Sequence, residues 1–329
     1  MTRYVLKRLA GAVLVLLALS VLVYGLLHLA PGDPARLACG ERCNPQQIAQ
    51  VRVRLGLDQS VVAQYLHFLQ GVFVGRDYST GTELTHCDAP CLGLSYQTDQ
   101  QVTRLLLERL PATASLALGA MVIWLIVGVG TGLLAALRRG GPTERILTVL
   151  TLAGTGTPVF ILGLLLLMAV CAYLRWLPFP SYVPFGDDPE QWAWNMLLPW
   201  LALGFFESAK YARLTRSSTL ETLAEDHIRT FRAYGVGERS VVARHALRGA
   251  VPPVIAVSAV DLGSMFGGAV LTESLFGIPG LGKTLIDAVR QIDLPVVVGV
   301  VMVMGTAVVL AGVVADLLYA AADRRVVLT

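Results

Sequence analysis

Long apolar runs separated by polar segments dominate this chain. Such a run can cross a bilayer as a helix when about 20 consecutive residues are predominantly apolar. The pattern therefore predicts six membrane-spanning helices, approximately at residues 9–30, 110–136, 146–174, 196–214, 251–273 and 296–320. Helices built from these runs make an all-α integral membrane protein the expected fold class.

The first run, residues 9–30, is preceded by Arg3, Lys7 and Arg8. The apolar core of a secretory signal peptide is about 7–15 residues long, so this run is more typical of a retained membrane anchor. Basic side chains flank the cytoplasmic ends of membrane helices, and these three predict a cytoplasmic N-terminus. Alternation of six helices then places the C-terminal tail in the cytoplasm as well.

The same alternation places three segments inside: residues 137–145, residues 213–250 and the C-terminal tail. All three are basic, and their arginines include Arg138, Arg139, Arg145, Arg324 and Arg325. The 31–100 block falls outside although it also contains arginines, because the charge rule is weak for long loops. We therefore expect three parts: a tail and first helix at 1–30, an extracytoplasmic block at 31–100, and a transmembrane core at 101–329.

Short helices are expected within the extracytoplasmic block. Asn44 suits a helix N-cap, Pro45 the first helical position and Gly56 the stop. A second helical stretch is expected at residues 61–73. The block is too small and broken to bury a large core of its own, so both helices are expected at the outer membrane surface.

The composition agrees with a membrane protein and excludes an ordinary soluble domain. Of 329 residues, 55% are hydrophobic and 15% are charged, whereas soluble chains carry about 25% charged residues. The mean hydropathy is +0.63. The formal net charge of +3 is small, so the position of the charges along the chain matters more than their sum.

The segment at 213–250 is a long, basic loop interrupted by glycines. Its arginines, glycines and closing prolines are Arg213, Arg216, Arg229, Arg232, Gly235, Gly237, Arg239, Arg244, Arg248, Pro252 and Pro253. Residues 225–234 and 237–248 can form two helices that meet at Gly235, where glycine permits a sharp turn. Such an elbow suits docking of a soluble partner, and arginine contact with anionic lipid is the alternative.

Residues 277–284 satisfy the P-loop pattern G-x-x-x-x-G-K-[ST], and the run before Asp316 mimics the strand and magnesium-binding aspartate of an ATPase. We expect this match to be a decoy. The topology places Lys283 outside the cytoplasm, and a membrane helix precedes the glycines where a P-loop needs a parallel strand. Pro279 and Gly280 instead predict a re-entrant turn followed by a short helix.

Four charged residues in or beside the apolar runs are candidates for the wall of a translocation pathway: Glu207, Lys210, Asp261 and Glu273. Glu207 and Lys210 share one helical face, which favours a structural ion pair for those two. Asp261 lies mid-run, and an intramembrane carboxylate usually faces a water-filled cavity or a partner, so a cavity is expected there. Small neighbours let helices approach closely and predict a subunit interface at Gly263, Ser264, Gly267, Gly268 and Ala269.

Four cysteines fall in the expected outer block as two C-x-x-x-C pairs, Cys39 with Cys43 and Cys87 with Cys91. Disulfides persist outside the cytoplasm, so these four are disulfide candidates, with bridges between the pairs favoured over bridges within them. The alternative is a metal site with His86 as a further ligand. Cys171 lies in an apolar run and is expected to be inert.

Several segments stand in a distinctive order along nearly the whole chain: YVLKRL at 4–9, LAPGDP at 29–34, LLLERLPATASLAL at 105–118, ARLTRSSTLETL at 212–223, HIRTFRAYGVGERSVVARHALRGAVPPV at 227–254 and GSMFGGAVLTESLFGIPGLGKTLIDAV at 263–289. Together they resemble the inner-membrane permease subunit of dipeptide, oligopeptide and nickel ABC importers. The resemblance implies the type I ABC importer fold with six transmembrane helices and an extracytoplasmic block between the first two.

In that family a cytoplasmic coupling helix fits a groove on an ATPase subunit. The motif's glycine falls on Gly235, and Arg229, Thr230 and Phe231 stand at its Glu-Ala-Ala positions, so the acidic residue is missing and Phe231 replaces a small residue. The resemblance implies a coupling surface of Glu225, Arg229, Thr230, Phe231, Ala233, Gly235, Gly237, Glu238 and Arg239. It also implies an outer mouth at Pro279, Gly280 and Gly282.

The resemblance implies a bacterial inner-membrane subunit that works with a homologous second permease, two cytoplasmic ATPase subunits, an extracytoplasmic substrate-binding protein and membrane lipid. It implies no catalysis, cofactor, metal or nucleic-acid binding by this chain. A short peptide is the expected cargo, and nickel chelates or glutathione are the alternatives. A secondary transporter using Glu207 and Asp261 would need inverted repeats, and a membrane enzyme would need a paired catalytic constellation; the sequence indicates neither.

Overall fold

The computed structural model describes residues 2–29, 35–36, 44–54, 57–80 and 83–322. Within these residues, four helices are long and apolar enough to cross a membrane, by length and composition. They are Leu6–Gly25, Val102–Leu137, Glu238–Gly267 and Leu294–Leu318. These helices coincide with the first, second, fifth and sixth predicted runs.

The helices, in chain order, are α1 (Thr2–Leu29), α2 (Pro45–Arg54), α3 (Val61–Val74), α4 (Val102–Trp124), α5 (Gly130–Leu137), α6 (Pro142–Gly156), α7 (Val159–Leu166), α8 (Pro189–Ala224), α9 (Asp226–Ala233), α10 (Glu238–Ser240), α11 (Leu247–Gly268), α12 (Val270–Phe276), α13 (Leu281–Arg290) and α14 (Leu294–Ala322). In the described residues, π-helical turns follow α4, α7 and α10. They cover Leu125–Val129, Leu167–Tyr173 and Val241–Ala246. Each π turn inserts one extra residue into a helix, a feature frequent at functional sites.

The third and fourth predicted runs take less regular forms. Pro158 interrupts the run at 146–174 between α6 and α7, and Thr157 before it is extended, as proline requires of its neighbour. The fourth run lies inside α8, which is 36 residues long and therefore about 54 Å from end to end. A helix of that length extends well beyond the hydrocarbon core of a bilayer.

The 31–100 block contains the expected short helices and one unpredicted hairpin, and the predicted helix stop at Gly56 lies outside the described residues. Asn44 caps α2, because its side chain accepts a hydrogen bond from the Gln47 N–H at 2.8 Å while the Gln47 side chain accepts from the Asn44 N–H at 2.9 Å. Helix α3 begins after Ser60, whose hydroxyl accepts a hydrogen bond from the Ala63 N–H at 3.3 Å. Strand β1 (Arg76–Thr80) pairs antiparallel with β2 (Glu83–Cys87).

A buried aspartate attaches this block to the membrane core. Asp293, which is 3% exposed, lies at the start of α14. Its carboxylate accepts hydrogen bonds from the Ser95 hydroxyl and from the Tyr96 N–H, the latter at 3.1 Å. Ser95 also accepts hydrogen bonds from the Gln97 and Thr98 N–H groups, so it orders the turn that contains it.

The core of the transmembrane part lies between α4, α8 and α11. Trp124 stacks on Tyr211 with ring centroids 5.8 Å apart, and both side chains are fully buried. Helices α5 and α8 pack closely at Gly132, where an added Cβ would lie 2.4 Å from the Ala212 carbonyl oxygen. Small residues of this kind let membrane helices approach one another.

Candidate coupling site and intramembrane charges

The chain changes direction at both ends of helix α9. Glu225 is extended (φ −67°, ψ 147°) and ends α8, so α9 leaves along a new axis. Ile228 is fully buried and fastens α9 to the rest of the chain. The neighbouring Arg229, Thr230 and Ala233 are exposed. Helix α9 therefore has one anchored side and one open side.

The elbow after α9 is a Schellman motif. Gly235 has φ +78°, a left-handed conformation that glycine adopts without steric cost. The Gly235 N–H donates to the Arg232 carbonyl at 3.0 Å, and the Val236 N–H donates to the Phe231 carbonyl at 3.1 Å. These two bonds satisfy carbonyl groups that the helix end would otherwise leave free. The expected turn at Gly235 is present.

An ion pair spans the elbow. Arg232 donates two hydrogen bonds to the Glu238 carboxylate, at 3.1 and 2.6 Å. Both side chains are largely exposed, and the hydrogen bonds from Arg232 lower the pKa of Glu238. The same bonds raise the pKa of Arg232. The elbow is thus fixed on both sides of Gly235 by groups that keep their charges at neutral pH.

Phe231, which stands where the family motif has a small residue, packs against two histidines. Its ring stacks on the His245 imidazole, with centroids 4.0 Å apart. It also meets the edge of the His227 ring at 6.1 Å. Phe231 therefore joins α9 to the π turn that leads into α11, a contact that a small residue at this position would not make.

The candidate coupling residues lie together on this segment, and all except Phe231 are exposed: Glu225, Arg229, Thr230, Ala233, Gly235, Gly237, Glu238 and Arg239. Two local ion pairs also lie there, His227 with Glu225 at 3.0 Å and Arg229 with Asp226 at 3.7 Å. We name residues 225–239 the coupling segment. Its exposed side offers charged groups and backbone to a partner.

The helices that enter and leave the coupling segment touch at their adjoining ends. An added Cβ on Gly249, in α11, would lie 2.7 Å from the Thr222 side chain in α8. Close packing of this kind makes the two helix ends a stiff joint. Arg216 of α8 further binds Glu144 at the start of α6. The Gly140 N–H and Arg216 both bind the Glu144 carboxylate and lower its pKa.

A second joint between α8 and α11 lies within the membrane-spanning part. Lys210 donates hydrogen bonds to both carboxylate oxygens of Asp261, at 2.7 and 2.6 Å, and the Tyr211 hydroxyl donates to the same carboxylate at 2.7 Å. The favoured Glu207–Lys210 pair is therefore wrong. Glu207, three positions from Lys210 on the same helix, and Asp261 on the neighbouring helix are both possible partners for the Lys210 ammonium group. The structure pairs Lys210 with Asp261.

This pairing also changes the expectation for Asp261 and Glu207. The Asp261 side chain is 13% exposed and is bonded to Lys210 and Tyr211, so its carboxylate has partners within the chain. Glu207 is half-buried on the same stretch of α8. Lys210 remains 47% exposed, so the ion pair lies at the surface of the isolated chain.

Small residues in α11 have different surroundings. Gly263 packs inside the chain, because an added Cβ would lie 2.3 Å from the Ala311 side chain in α14. Ala269 is buried. Gly267 has open space around it, and Ser264 is exposed. The predicted subunit interface thus keeps support at Ser264 and Gly267, whereas Gly263 serves contact with α14.

Glu273 has a capping role that its position in the sequence does not reveal. It is fully buried, and its carboxylate accepts hydrogen bonds from the Thr113 hydroxyl at 2.6 Å and from the Lys283 N–H at 2.9 Å. Thr113 in turn accepts from the Leu281 N–H at 2.8 Å. These bonds satisfy free N–H groups at the start of α13. Glu273 therefore lies inside the chain and not on the expected pathway wall.

The residues expected at the outer mouth form the turn that this carboxylate fixes. Gly277 ends α12 with φ +68°, and α13 begins after Gly280. An added Cβ on Gly280 would lie 2.3 Å from a Glu273 carboxylate oxygen, and one on Gly282 would lie 2.7 Å from the Val270 Cα. Pro279 precedes the close approach at Gly280. The expected turn and short helix are both present.

The same geometry shows why residues 277–284 are not a nucleotide site. A helix, α12, precedes the glycines, and the strands in the described part of the chain form a two-stranded antiparallel hairpin elsewhere. Glu273 occupies the helix terminus where a P-loop would hold phosphate, and a carboxylate there repels an anion. Lys283 also lies beyond the end of α11 that is opposite the coupling segment, and α11 is itself about 33 Å long.

The described cysteine pair forms a disulfide within itself. Cys87 and Cys91 are bonded across a separation of four residues, so the favoured bridge between pairs is wrong for these two. Cys39 and Cys43 lie outside the described residues. Both bonded sulfurs are unavailable to a metal, and His86 instead contacts Asp77 at 2.5 Å. The pKa of His86 is raised by this hydrogen bond.

Three hydrogen bonds to these carboxylates were not predicted from the sequence: Tyr211 to Asp261, Thr113 to Glu273, and Ser95 to Asp293. The last two join residues 160 and 198 positions apart. The sequence indicated only that the carboxylates need partners, because an acidic side chain within an apolar run must be paired. The identity of that partner depends on how the helices pack.

Comparison with known proteins places the whole chain in one family. Residues 1–117 match a family described as "Binding-prot-dependent transport system membrane comp, N-term", and residues 128–328 match the "Binding-protein-dependent transport system inner membrane component" family. A putative peptide transport system permease protein of Brucella abortus (strain 2308) is 39% identical, with 99% of each chain covered.

Other relatives have similar coverage. A probable peptide ABC transporter permease protein of Sinorhizobium fredii (strain NBRC 101917 / NGR234) is 33% identical, with 98% of each chain covered. The dipeptide transport system permease protein DppB of Escherichia coli (strain K12) is 34% identical, with 99% of each covered. A solved structure titled "Inward facing conformations of the MetNI methionine ABC transporter" aligns with a TM-score of 0.54 at 15% identity, over 68% of this chain and 98% of that chain. This last likeness confirms the expected fold class.

Proposed function

The chain belongs to the family of inner-membrane components of binding-protein-dependent transport systems, and on that premise we propose that it is the permease subunit of an ATP-driven importer of short peptides. It is a multi-pass membrane transport component and not an enzyme. Within such a system its task is to convert the motion of an ATPase into alternating access of a membrane pathway.

The observation that carries this proposal is the connection between α8, the coupling segment and α11. Helix α8 ends directly at α9, and α11 begins one π turn after α10. The two long helices are joined at Thr222 with Gly249 and again at Lys210 with Asp261. A displacement of α9 would therefore move both helices together, as a motor-driven lever requires.

The proposed partners follow from the family and from the exposed surfaces. The coupling segment supplies a surface for a cytoplasmic ATPase, and a second permease would provide the equivalent segment for a second ATPase. The open stretch of α11 at Ser264 and Gly267 suits contact with that second permease. An extracytoplasmic binding protein would deliver cargo to the side that carries the hairpin and α13. Both termini are then cytoplasmic.

A peptide cargo is favoured by the names of the relatives. The Brucella abortus and Sinorhizobium fredii proteins are named for peptide transport and the Escherichia coli protein for dipeptide transport. Nickel chelates and glutathione remain the alternative cargoes. In such a system the binding protein makes the first selection of the ligand, before it reaches the membrane.

Reconstitution tests the proposal. The chain is assembled with its partner permease, ATPases and binding protein in proteoliposomes, and uptake of labelled Ala-Ala is measured with ATP inside or outside the vesicle. Uptake should require ATP on the side of the coupling segment and the loaded binding protein. ATP-dependent uptake of a nickel chelate or of glutathione with no uptake of Ala-Ala would replace peptide as the cargo, and uptake driven by an ion gradient without ATP would overturn the proposal.

A further inference from the structure

A cavity of mixed polar and apolar lining at the proposed outer mouth contains charged side chains without partners. The cavity measures about 260 Å³ and lies between α4, α13 and the end of the extracytoplasmic block. Its charged lining consists of Arg109, Lys283, Asp287 and Asp293. These residues come from three separate parts of the fold, so the cavity exists only in the folded chain.

The four charged side chains differ in whether they already have hydrogen-bond partners. Asp293 is buried and already bonded to Ser95 and Tyr96. Arg109, Lys283 and Asp287 are half-buried, and within the described residues their side chains form neither a hydrogen bond nor an ion pair. Lys283 and Asp287 are one turn apart on α13, a spacing at which an ion pair could form. Charges held partly out of water without a partner cost free energy that a complementary ligand would recover.

The free charges match a dipolar ligand better than an anion or a cation. Two cations from different helices can bind one carboxylate through charge-assisted hydrogen bonds, as in many carboxylate sites. Asp287 can accept hydrogen bonds from an ammonium group. A two-residue peptide carries both groups and spans about 7 Å when extended, which the cavity accommodates.

We propose that this cavity is a binding subsite for the zwitterionic backbone of a short peptide entering the outer mouth. Arg109 and Lys283 bind its C-terminal carboxylate, and Asp287 binds its N-terminal ammonium group. The proposal names a substrate contact within the proposed function and rests on it. Docking of an acidic surface of the binding protein is the competing use, and it would leave Asp287 opposite a like charge.

The test measures protection of a thiol at the cavity. Thr98→Cys introduces a thiol on the exposed cavity rim, and Gln191→Cys, exposed at the start of α8, is the matched control. The assembled complex without binding protein is treated with a water-soluble maleimide, and labelling at each position is measured by peptide mass spectrometry. Ala-Ala, its C-terminal amide and N-acetyl-Ala-Ala are compared as protecting ligands.

Ala-Ala should slow labelling at position 98 and leave position 191 unchanged. The amide and the acetylated peptide should protect at least about tenfold less well, the ratio expected when a charge-assisted hydrogen bond is lost. Arg109→Gln or Lys283→Gln should abolish the preference for a free carboxylate, and Asp287→Asn the preference for a free ammonium group. Equal protection by all three peptides, or unchanged preferences in all three variants, would overturn the subsite.

Two further measurements test the subsite independently of the variants. Saturation-transfer NMR of the wild-type complex with the same three peptides gives the ranking even when a variant fails to assemble. Protection of position 98 by peptide-free binding protein but not by Ala-Ala would replace the subsite with a docking surface. ATP-dependent Ala-Ala uptake in proteoliposomes is measured separately, so uptake without protection rejects the subsite alone, and protection without uptake rejects the transport role alone.

Discussion

Three carboxylates show how single residues are used in this chain. Glu273 accepts a hydrogen bond at the start of α13, Asp293 holds the 31–100 block to α14, and Asp261 joins α11 to α8. Each is largely buried, and each has more than one hydrogen-bond donor around it. A buried charge is stable only when its partners are complete, so each acid fixes the positions of at least two elements.

Loss of the Glu273 carboxylate should destabilise the chain. Glu273→Ala leaves the Lys283 N–H and the Thr113 hydroxyl without an acceptor, at a cost of about 1–3 kcal/mol for each buried group. The melting temperature of the purified protein in detergent should fall by at least about 2 °C. Glu108→Ala, which removes an exposed pair with Arg104, is the control and should change little. Equal melting temperatures for both variants would exclude the capping role.

The Lys210–Asp261 pair should show coupling in a double-mutant cycle. Lys210→Met leaves a carboxylate at membrane depth without its cation, and Asp261→Asn leaves the cation without its carboxylate. The double variant should be less destabilised than the sum of the two single variants, with an interaction free energy of about 0.5–3 kcal/mol. Thermal unfolding of the four proteins measures it. Strict additivity would show that the pair does not join α8 to α11.

At the scale of elements, the coupling segment depends on one backbone conformation. Gly235 and Gly237 both have open space around an added Cβ, but only Gly235 has a positive φ. Substitutions at Gly235 and Gly237 therefore differ in backbone strain and not in steric contact with neighbouring atoms. The Schellman bonds and the Arg232–Glu238 pair then fix the direction in which the chain leaves α9.

Disruption of the elbow should uncouple ATP hydrolysis from uptake. Gly235→Pro imposes a φ near −65° where the structure has +78°, so α9 and α10 cannot keep their relative direction. We expect a complex whose ATPase no longer responds to loaded binding protein. Gly237→Ala, at φ −60°, should behave like wild type. Normal Ala-Ala uptake by Gly235→Pro would count against the role of this segment.

The Cys87–Cys91 bridge should be oxidised and should stabilise the block only modestly. The two sulfurs close a loop of five residues, for which the chain-entropy model gives about 2 kcal/mol. Peptide mapping should show alkylation of Cys87 and Cys91 only after reduction, with Cys171 modified only after denaturation. Alkylation of the unreduced, folded protein at position 87 or 91 would contradict the bridge.

Local features were predictable from the sequence, and long-range contacts were not. The Asn44 cap, the turn at Gly235 and the helix break at Pro279–Gly280 follow from residue types within a few positions. The partner of Lys210 lies 51 positions away, so sequence spacing favoured the wrong residue, Glu207. The short strands of the hairpin lack the alternation by which strands are recognised.

At the scale of the whole molecule, two structured segments lie at opposite ends of the long helices. The coupling segment joins the adjoining ends of α8 and α11, and the proposed outer mouth is held by Glu273 and Asp293. The rigid joints between α8 and α11 provide a path between the two ends. On this account an ATPase pushes on α9, and the displacement reaches the mouth along packed helices.

The most direct test of this account is site-specific photo-crosslinking in the assembled complex. A photoreactive amino acid replaces Tyr234, which is 82% exposed on the coupling segment, or Trp176, which is 74% exposed beyond the end of the second π turn. The account predicts a crosslink from position 234 to an ATPase subunit and none from position 176. A crosslink to the ATPase from position 176, or none from position 234 in a complex that transports Ala-Ala, would contradict it.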